Sequence, residues 1–400
     1  LISLAFAIVG DVISPRQRGR YQGYFGAMFG ISSVVGPLAG GFFVDQLSWR
    51  YIFYLNLPLG ILALIVTNRV LRLPIRVRQV LIDWWGALLL VAGVSAILLA
   101  TQSGGKDYPW ASGQIVGLFV LGGLLLVGFA YREHRAPEPI LPLGLFKIQI
   151  FTVSNIVSFV SGIGMFGALA FLPQFLQLVH GVSATESGLL LLPMLIGVLS
   201  MSIGSGLFIS RTGSYRWFPL TGTMLVTLGL ILLTRIGAHT SLAVIGLYLF
   251  IFGAGLGLFM QVLTLVVQNA VPMSQIGVGT SSVTFFRSMG GAIGASALGA
   301  VLTARLAFEF PRFLPHQAVA GGGTVAKLVE APKALNALKH TNPALHEGII
   351  QAYSHAIDRM FLVAVPVSIL SIVAALFIKQ VHLRDDEPAP AAVQTPEEVH

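Results

Sequence analysis

Residues 23–60 read GYFGAMFGISSVVGPLAGGFFVDQLSWRYIFYLNLPLG. An apolar run carries Gly23, Gly26, Gly30, Gly36, Gly40 and Gly41, with Pro37 beside Gly36. In water each glycine weakens a helix by about 1 kcal/mol relative to alanine and a proline by about 3, so such a helix would not hold. In a bilayer nothing competes for the backbone hydrogen bonds, and small residues let neighbouring helices approach closely. A short polar turn with Trp49 and Arg50 follows, and a second apolar run opens with Asn56, Pro58 and Gly60. Two tightly packed transmembrane helices joined by a short loop are the reading this stretch demands.

The rest of the chain agrees. It is 55% hydrophobic and only 10% charged, with a mean hydropathy of +0.83; a soluble domain carries about 25% charge. Apolar runs of roughly 20 residues, each long enough to cross about 30 Å of hydrocarbon, recur almost to the end. Ten complete spans are expected near 20–43, 51–71, 84–101, 113–131, 150–173, 187–209, 217–236, 241–266, 278–303 and 359–380. Residues 1–10 (LISLAFAIVG) are apolar but too short to span, and they lack the basic flank and cleavage site of a signal peptide. They read as the tail of one more helix. Residues 132–149 form a connector with Pro137, Pro139 and Pro142. Residues 304–358 form a long polar segment, within which ALHEGIIQAYSHAIDRM has the pattern of an amphipathic helix leading into the last span. Residues 383–400 are acidic and proline-rich, the composition of a disordered tail.

Basic residues set the orientation. With the loop holding Arg16, Arg18 and Arg20 placed in the cytoplasm, the inner side also receives Arg69, Arg72, Arg76, Arg78, Arg132, Arg135, Lys147, Arg211, Arg216, Arg287, Lys379 and Arg384. The short outer loops receive Arg50, Lys106 and Arg235. Fifteen against three is the asymmetry of the positive-inside rule, and it accounts for the net charge of +8. These charges are scattered over short loops and form no basic face with interleaved aromatics, so nucleic-acid binding is excluded.

Enzyme chemistry is not supported. There is no cysteine, and the nine histidines fall in loops, span ends or tails. His346-Glu347 lacks a second histidine at metalloprotease spacing, because position 350 is isoleucine. No phosphate-binding glycine loop, metal site or cofactor site is expected. The acids avoid the middle of every span; Asp11, Asp45, Asp83 and Glu186 come nearest and read as solvated loop residues.

The GPLAGG string resembles the antiporter motif of the fifth helix in the major facilitator superfamily, with Gly23, Gly36, Pro37, Gly40 and Gly41 in register and Ser32 where glycine is common. WRYIFYLNLPLG resembles the start of the sixth helix, through Trp49, Arg50, Asn56 and Pro58. FLPQFLQLVHGVSATESGLLLLP is similar to the ninth helix, outer loop and start of the tenth, with Pro173, Gln177, Gly181, Ser183, Gly188 and Pro193 matching. GLFISRTGSYR resembles the repeated loop motif through Gly206, Arg211, Gly213 and Arg216, with Ser210 where an acid is usual. VQNAVPMSQIGVGTSSVTFFRSMGGAIG is similar to the start of the thirteenth helix, with Arg287, Gly290, Gly291 and Gly294. In order and spacing these motifs resemble the fourteen-helix drug:proton antiporter branch.

That resemblance implies an all-α membrane protein of major facilitator fold, with ten complete helices and the tail of an eleventh. Residues 1–71 would be the remainder of a first helical half, truncated at its N-terminus (tail of helix four, helices five and six). Residues 72–149 would hold two linker helices and a cytoplasmic connector, 150–380 a six-helix second half with its long outer loop 304–358, and 381–400 a cytoplasmic tail. It places the central cavity between the first and fourth helices of each half, here 150–173 and 241–266, the second running on to Gln268. Both carry a polar or small stripe at helical spacing: Asn155, Ser158 and Gly162 on one, Gly257, Gln261, Thr264 and Gln268 on the other. These seven are the candidate substrate residues, with Phe252, Phe259, Met260, Phe285 and Phe286 as an adaptable apolar lining. The glycines of the antiporter motif, Gly40 above all, are expected to seal a contact between the halves. The implied function is proton-coupled export of amphipathic drugs or similar small molecules across a bacterial inner membrane by alternating access. The partners would be the small-molecule substrate, protons and the lipid bilayer; whether a periplasmic adaptor takes part is left open. The alternatives are export of one metabolite or siderophore, and a non-transporting membrane receptor or scaffold.

Overall fold

The computed structural model describes residues 5, 8, 9, 13, 15–70, 83–105, 107–314, 335, 338, 339 and 341–381. Among these residues there is no strand, and ten long helices follow one another in the order expected. They are α1 (Pro15–Gln46), α2 (Tyr51–Val70), α3 (Trp84–Ser103), α4 (Gly113–Arg135), α5 (Gln149–Val179), α7 (Leu192–Thr212), α8 (Trp217–Leu233), α9 (Leu242–Ala270), α10 (Ile276–Phe313) and α11 (Pro343–Leu376). A single short helix, α6 (Ala184–Leu189), precedes α7, and a 3-10 turn at Leu143–Lys147 precedes α5.

The starts are written in the sequence. Asp83, Ser112, Ser183, Ser241 and Asn342 each accept a hydrogen bond from a first-turn amide, which satisfies one of the donors a helix start leaves open. At Ser183 the box is complete, for the Glu186 carboxylate accepts the Ser183 amide at 2.8 Å while the Ser183 hydroxyl accepts the Glu186 amide at 3.1 Å. Glu186 thus holds a helix start rather than standing free in a loop. At the other end of α7, Gly213 closes the helix in the left-handed region, at φ +69°.

Two expectations about length change. The polar run before the last span does not form a separate helix: α11 begins at Pro343 and runs unbroken for 34 residues. Likewise α10 continues through 304–313, so both flanks of the long polar segment are helical. Its middle, residues 315–334, lies outside the described residues, as do 71–82, most of 1–14 and the tail from 382. Eight stretches are long and apolar enough to cross a bilayer. Helix α8 has 17 residues, a rise of about 25 Å.

Helix α9 is enclosed over most of its length. Every residue from Phe252 to Asn269 is buried, and α9 packs on α1, α5, α7, α8 and α10. Most of the enclosed residues are apolar or small, Gln261, Thr264, Gln268 and Asn269 being the polar ones, and glycines supply the closest approaches. Gly257 lies against the Val198 carbonyl of α7, and Gly255 faces Gly222 and Val226 of α8. Around it α5 packs on α10 and α11, and α11 also packs on α8. Helices α3 and α4 form a hairpin that touches the bundle through α3 and α10. Helix α2 carries no buried residue and packs on α1 through the Ser48–Arg50 turn, where Tyr51 stacks on Phe43.

Candidate functional site

Helix α1 lies along α6, α7 and α9. The contact is close at two points. A Cβ at Gly23 would stand 2.9 Å from the Ser202 carbonyl oxygen, and one at Gly41 would stand 2.8 Å from Ala184 and Thr185 backbone atoms. The Ser202 hydroxyl also donates to the Gly23 carbonyl at 3.2 Å. The two points are 18 residues apart, about 27 Å along the helix. Gly40 behaves differently from expectation: a Cβ there would meet only Ile52 Cδ1 of α2, at 3.9 Å, and one at Gly36 would meet nothing within 4 Å among the described residues. The backbone approach belongs to Gly23 and Gly41, because Gly40 faces its own hairpin partner. The Pro37 side chain lies outside the described residues.

The sixth-helix motif is local. The Arg50 guanidinium lies 5.2 Å from the Trp49 ring centre, the Asn56 amide donates to the Ile52 carbonyl at 3.5 Å, and Pro58 sits inside α2. At the C-terminal end of α5, the Gln177 amide donates to the Ser187 hydroxyl at 3.1 Å, and Gly181 takes φ +67°. The neighbouring His180 ring is packed edge-on to Phe175, and burial holds its pKa below the usual histidine value.

The seven candidate cavity residues are all buried, but they do not converge on one space. Gly162 lies against the Arg287 carbonyl of α10, and Gly257 against α7; both are helix contacts. The Gln268 amide donates to the Thr280 hydroxyl of α10 at 3.0 Å, and Thr264 is buried on α9. Gln261 is placed otherwise. It lines a small cleft between α1, α7 and α9 together with Gly23, Ser202, Ser205, Gly206 and Leu265, and its carbonyl oxygen has no hydrogen-bond partner among the described residues. On α5 the Asn155 amide donates to the Phe151 carbonyl at 2.9 Å, while its own oxygen and the Ser158 hydroxyl have no partner among the described residues. Ser154 and Ser161 share that condition and were not picked out by sequence. Their spacing with Ser158, at i, i+4 and i+7, was the signal that could have found them.

Arg287, counted above with the inner loops, is instead twelve residues into α10 and 7% exposed. It lies on the stripe with Gly290, Gly291 and Gly294 that packs on Phe159, Phe166 and Ile163 of α5.

The loop motif after α7 is clasped by the end of α11. The Gln380 side-chain oxygen accepts the Tyr215 and Arg216 amides at 3.3 and 3.1 Å, and its nitrogen donates to the Gly213 carbonyl at 3.0 Å. The Tyr215 hydroxyl accepts the Val381 amide at 2.8 Å and donates to the Lys379 carbonyl at 3.3 Å; burial raises its pKa. Gly206 lines the cleft and Arg211 is exposed. The Ser210 hydroxyl, where an acid is usual, donates to the Leu207 carbonyl at 2.8 Å.

Asp83 is not a solvated loop residue. It is buried at the start of α3, accepts the Gly86 amide at 3.1 Å, and is paired with Arg132 Nε of α4 at 3.1 and 3.2 Å. The Gly86 amide, and after it the Arg132 guanidinium, holds this carboxyl below the usual aspartate range. Asp11 and the Asp45 side chain lie outside the described residues. Among the described residues no three His, Cys, Asp or Glu side chains group as metal ligands do.

Comparison with known proteins agrees with this architecture. An uncharacterized MFS-type transporter of Mycobacterium tuberculosis (strain ATCC 25618 / H37Rv) is 39% identical over 384 residues, covering 95% of this chain and 54% of its own length. The multidrug transporter protein MdtP of Bacillus subtilis (strain 168) is 42% identical over 305 residues, covering 76% of this chain and 56% of its own length. Multidrug resistance protein 3 of the same organism is 33% identical over 388 residues, 96% of this chain and 75% of its own. The chain therefore spans about half the length of the first two. Residues 1–295 match the model of the Major Facilitator Superfamily. With that match covering most of its length, and with α1 packed through glycines on the α6–α9 bundle, the chain belongs to the Major Facilitator Superfamily, a superfamily of transporters and not of enzymes.

Proposed function

We propose that this chain works in a proton-coupled secondary carrier that exports amphipathic small molecules across the bacterial cytoplasmic membrane by alternating access. The observation that carries the reading is the seating of α1 along α6, α7 and α9, close to α7 at Gly23 and to α6 at Gly41, and hydrogen-bonded from Ser202. Alternating access is a rocking of one helical body against another about a midplane site, and this seam is where such bodies would meet. The names of the relatives, two of them multidrug proteins, point to the substrate class. The buried polar oxygens of Gln261 in the seam cleft and of Asn155 and Ser158 on α5 are the groups we assign to substrate contact. A buried acceptor or hydroxyl without a partner is costly unless something meets it in another state.

The test is efflux of a fluorescent amphipathic dye from cells lacking their own exporters, with the full gene product expressed and its amount in the membrane measured. Efflux that stops when a protonophore collapses the gradient is expected. Normal membrane levels without efflux of any dye would overturn the export reading, and efflux indifferent to the protonophore would overturn the coupling. Ser158→Ala removes only an unpartnered hydroxyl, so it should leave stability within about 0.5 kcal/mol or raise it while changing the affinity for some dyes. An unchanged dye profile in Ser158→Ala, Asn155→Leu and Gln261→Leu together would remove these residues from the site.

A further inference from the structure

The foot of the α3–α4 hairpin, on its arginine-rich side, brings two carboxyl groups together away from the cavity helices. The apolar part of α4 ends at Tyr131, and Arg132, Glu133, His134 and Arg135 form its last turn. Glu133 is 3% exposed. One of its oxygens, Oε1, accepts the Leu141 amide of the connector that leads to α5. The other, Oε2, is buried and has no hydrogen-bond partner among the described residues. It points to the start of α3. A Cβ at Gly86 would stand 2.7 Å from Asp83 Oδ2 and 3.6 Å from Glu133 Oε2. Both oxygens therefore converge on the space that glycine leaves open.

Asp83 is already provided for: its oxygens receive the Gly86 amide and Arg132 Nε. It is the member held as an anion. Glu133 Oε2 lies across the same glycine from that anion, no more than about 6.3 Å from Asp83 Oδ2 (2.7 Å plus 3.6 Å through the Gly86 Cβ position), with no hydrogen-bond partner among the described residues. Two buried acceptors do not face each other unless one carries a proton, since an unpaired charge next to a like charge and out of water is strongly disfavoured. From this geometry we infer that Asp83 and Glu133 hold one proton between them, with Glu133 as the neutral member donating its O–H toward Asp83 Oδ2. The proton comes from and returns to water, and no other bond changes. The groups that bear on Glu133 are Asp83 from α3, Arg132 from its own helix, and the Leu141 and Ile140 amides from the connector. The pair titrates as a unit. Because Oε1 accepts the Leu141 amide, the carboxyl pair sits at the anchor of the connector into α5, one of the two helices carrying the candidate cavity stripes, and loss of the proton strengthens that hydrogen bond. The hairpin foot is a proton-binding site independent of the proposed transport reading.

Infrared spectroscopy of the purified chain in detergent tests this, with carbon-13 glutamate and, separately, carbon-13 aspartate labelling. A protonated-carboxyl band that shifts with glutamate labelling should persist above the pH near 4.3 where exposed glutamates ionise. It should be absent in Glu133→Gln, which keeps an acceptor for Leu141. In Asp83→Asn its titration midpoint should fall, because the like charge is gone and Arg132 is released. The labelled wild-type chain answers the first question even if a variant fails to fold. A band that disappears together with those of the exposed carboxyls would overturn the inference. So would a Glu133 titration that is the same in Asp83→Asn as in the wild type, which would leave burial alone as its cause.

Discussion

Replacing Gly41 with alanine adds one methyl group where the structure has no room for it. The new carbon would lie 2.8 Å from the Ala184 carbonyl carbon and the Thr185 nitrogen, where ordinary contact begins at 3.4 Å. The obstruction is backbone, and it belongs to α6, a short helix pinned by the Ser183–Glu186 capping box. Nothing there can swing aside as a side chain would, so α1 and α6 must part by roughly 0.6 Å. Overpacking of this kind costs about 1–3 kcal/mol, and alanine's better helix propensity returns about 1 of that. The matched control is Gly36→Ala on the same helix, where no heavy atom lies within 4 Å and only the propensity gain of about 1 kcal/mol remains. The two variants should therefore differ in stability by about 1–3 kcal/mol, with Gly41→Ala the weaker. That corresponds to roughly a 5- to 150-fold difference in the folding equilibrium. Denaturant unfolding in detergent, followed by tryptophan fluorescence, reads the difference directly. If Gly41→Ala is as stable as Gly36→Ala, α1 does not seat on α6 as described and the seam argument fails.

Three further outcomes are expected. Single cysteines at Arg135 and Arg211 should react with a membrane-impermeant reagent from the same, cytoplasmic face and one at Asp107 from the other, as the charge asymmetry requires; the chain has no cysteine of its own to confuse the result. Gln380→Ala removes the hydrogen bonds to Gly213, Tyr215 and Arg216, which should cost about 1–2 kcal/mol at these partly exposed positions and raise protease cleavage after Arg216, whereas Lys379→Ala should do neither. Asp83 is held below its ordinary value of 3.8, so it contributes stability above that pH and loses it as the pH falls below 3.8 toward its folded value. Stability measured against pH should show this acid-side loss in the wild type, with Asp83→Asn flat over that window.

Much was legible along the chain because it depends on composition and local pattern. Hydrocarbon can be crossed only by segments that satisfy their own backbone, so ten apolar runs meant ten helices, and their order needed no tertiary knowledge. The capping box at Ser183–Glu186 is equally local, and it is what sets Glu186 apart from a lone solvated acid. The length of α11 was misjudged because its polar first half has no need to enter lipid, and hydropathy marks only the part that does.

What the chain alone could not determine was direction: which face of each helix meets which neighbour. Gly36, Gly40 and Gly41 look equivalent in a string, but a rotation of 100° per residue turns Gly41 to α6 and Gly40 to α2. On the polar and small stripes of α5 and α9, Gly162 and Gly257 are helix contacts and Gln261 is the residue beside a cleft. Arg287 counted as a loop charge until α10 was seen to enclose it, and Asp83 as a solvated one until Arg132, 49 positions away, closed on it. Period and hydropathy determine that a helix forms and which residues share a face. The partner of that face is selected by packing between segments distant in sequence, and that is settled only when all of them are in place.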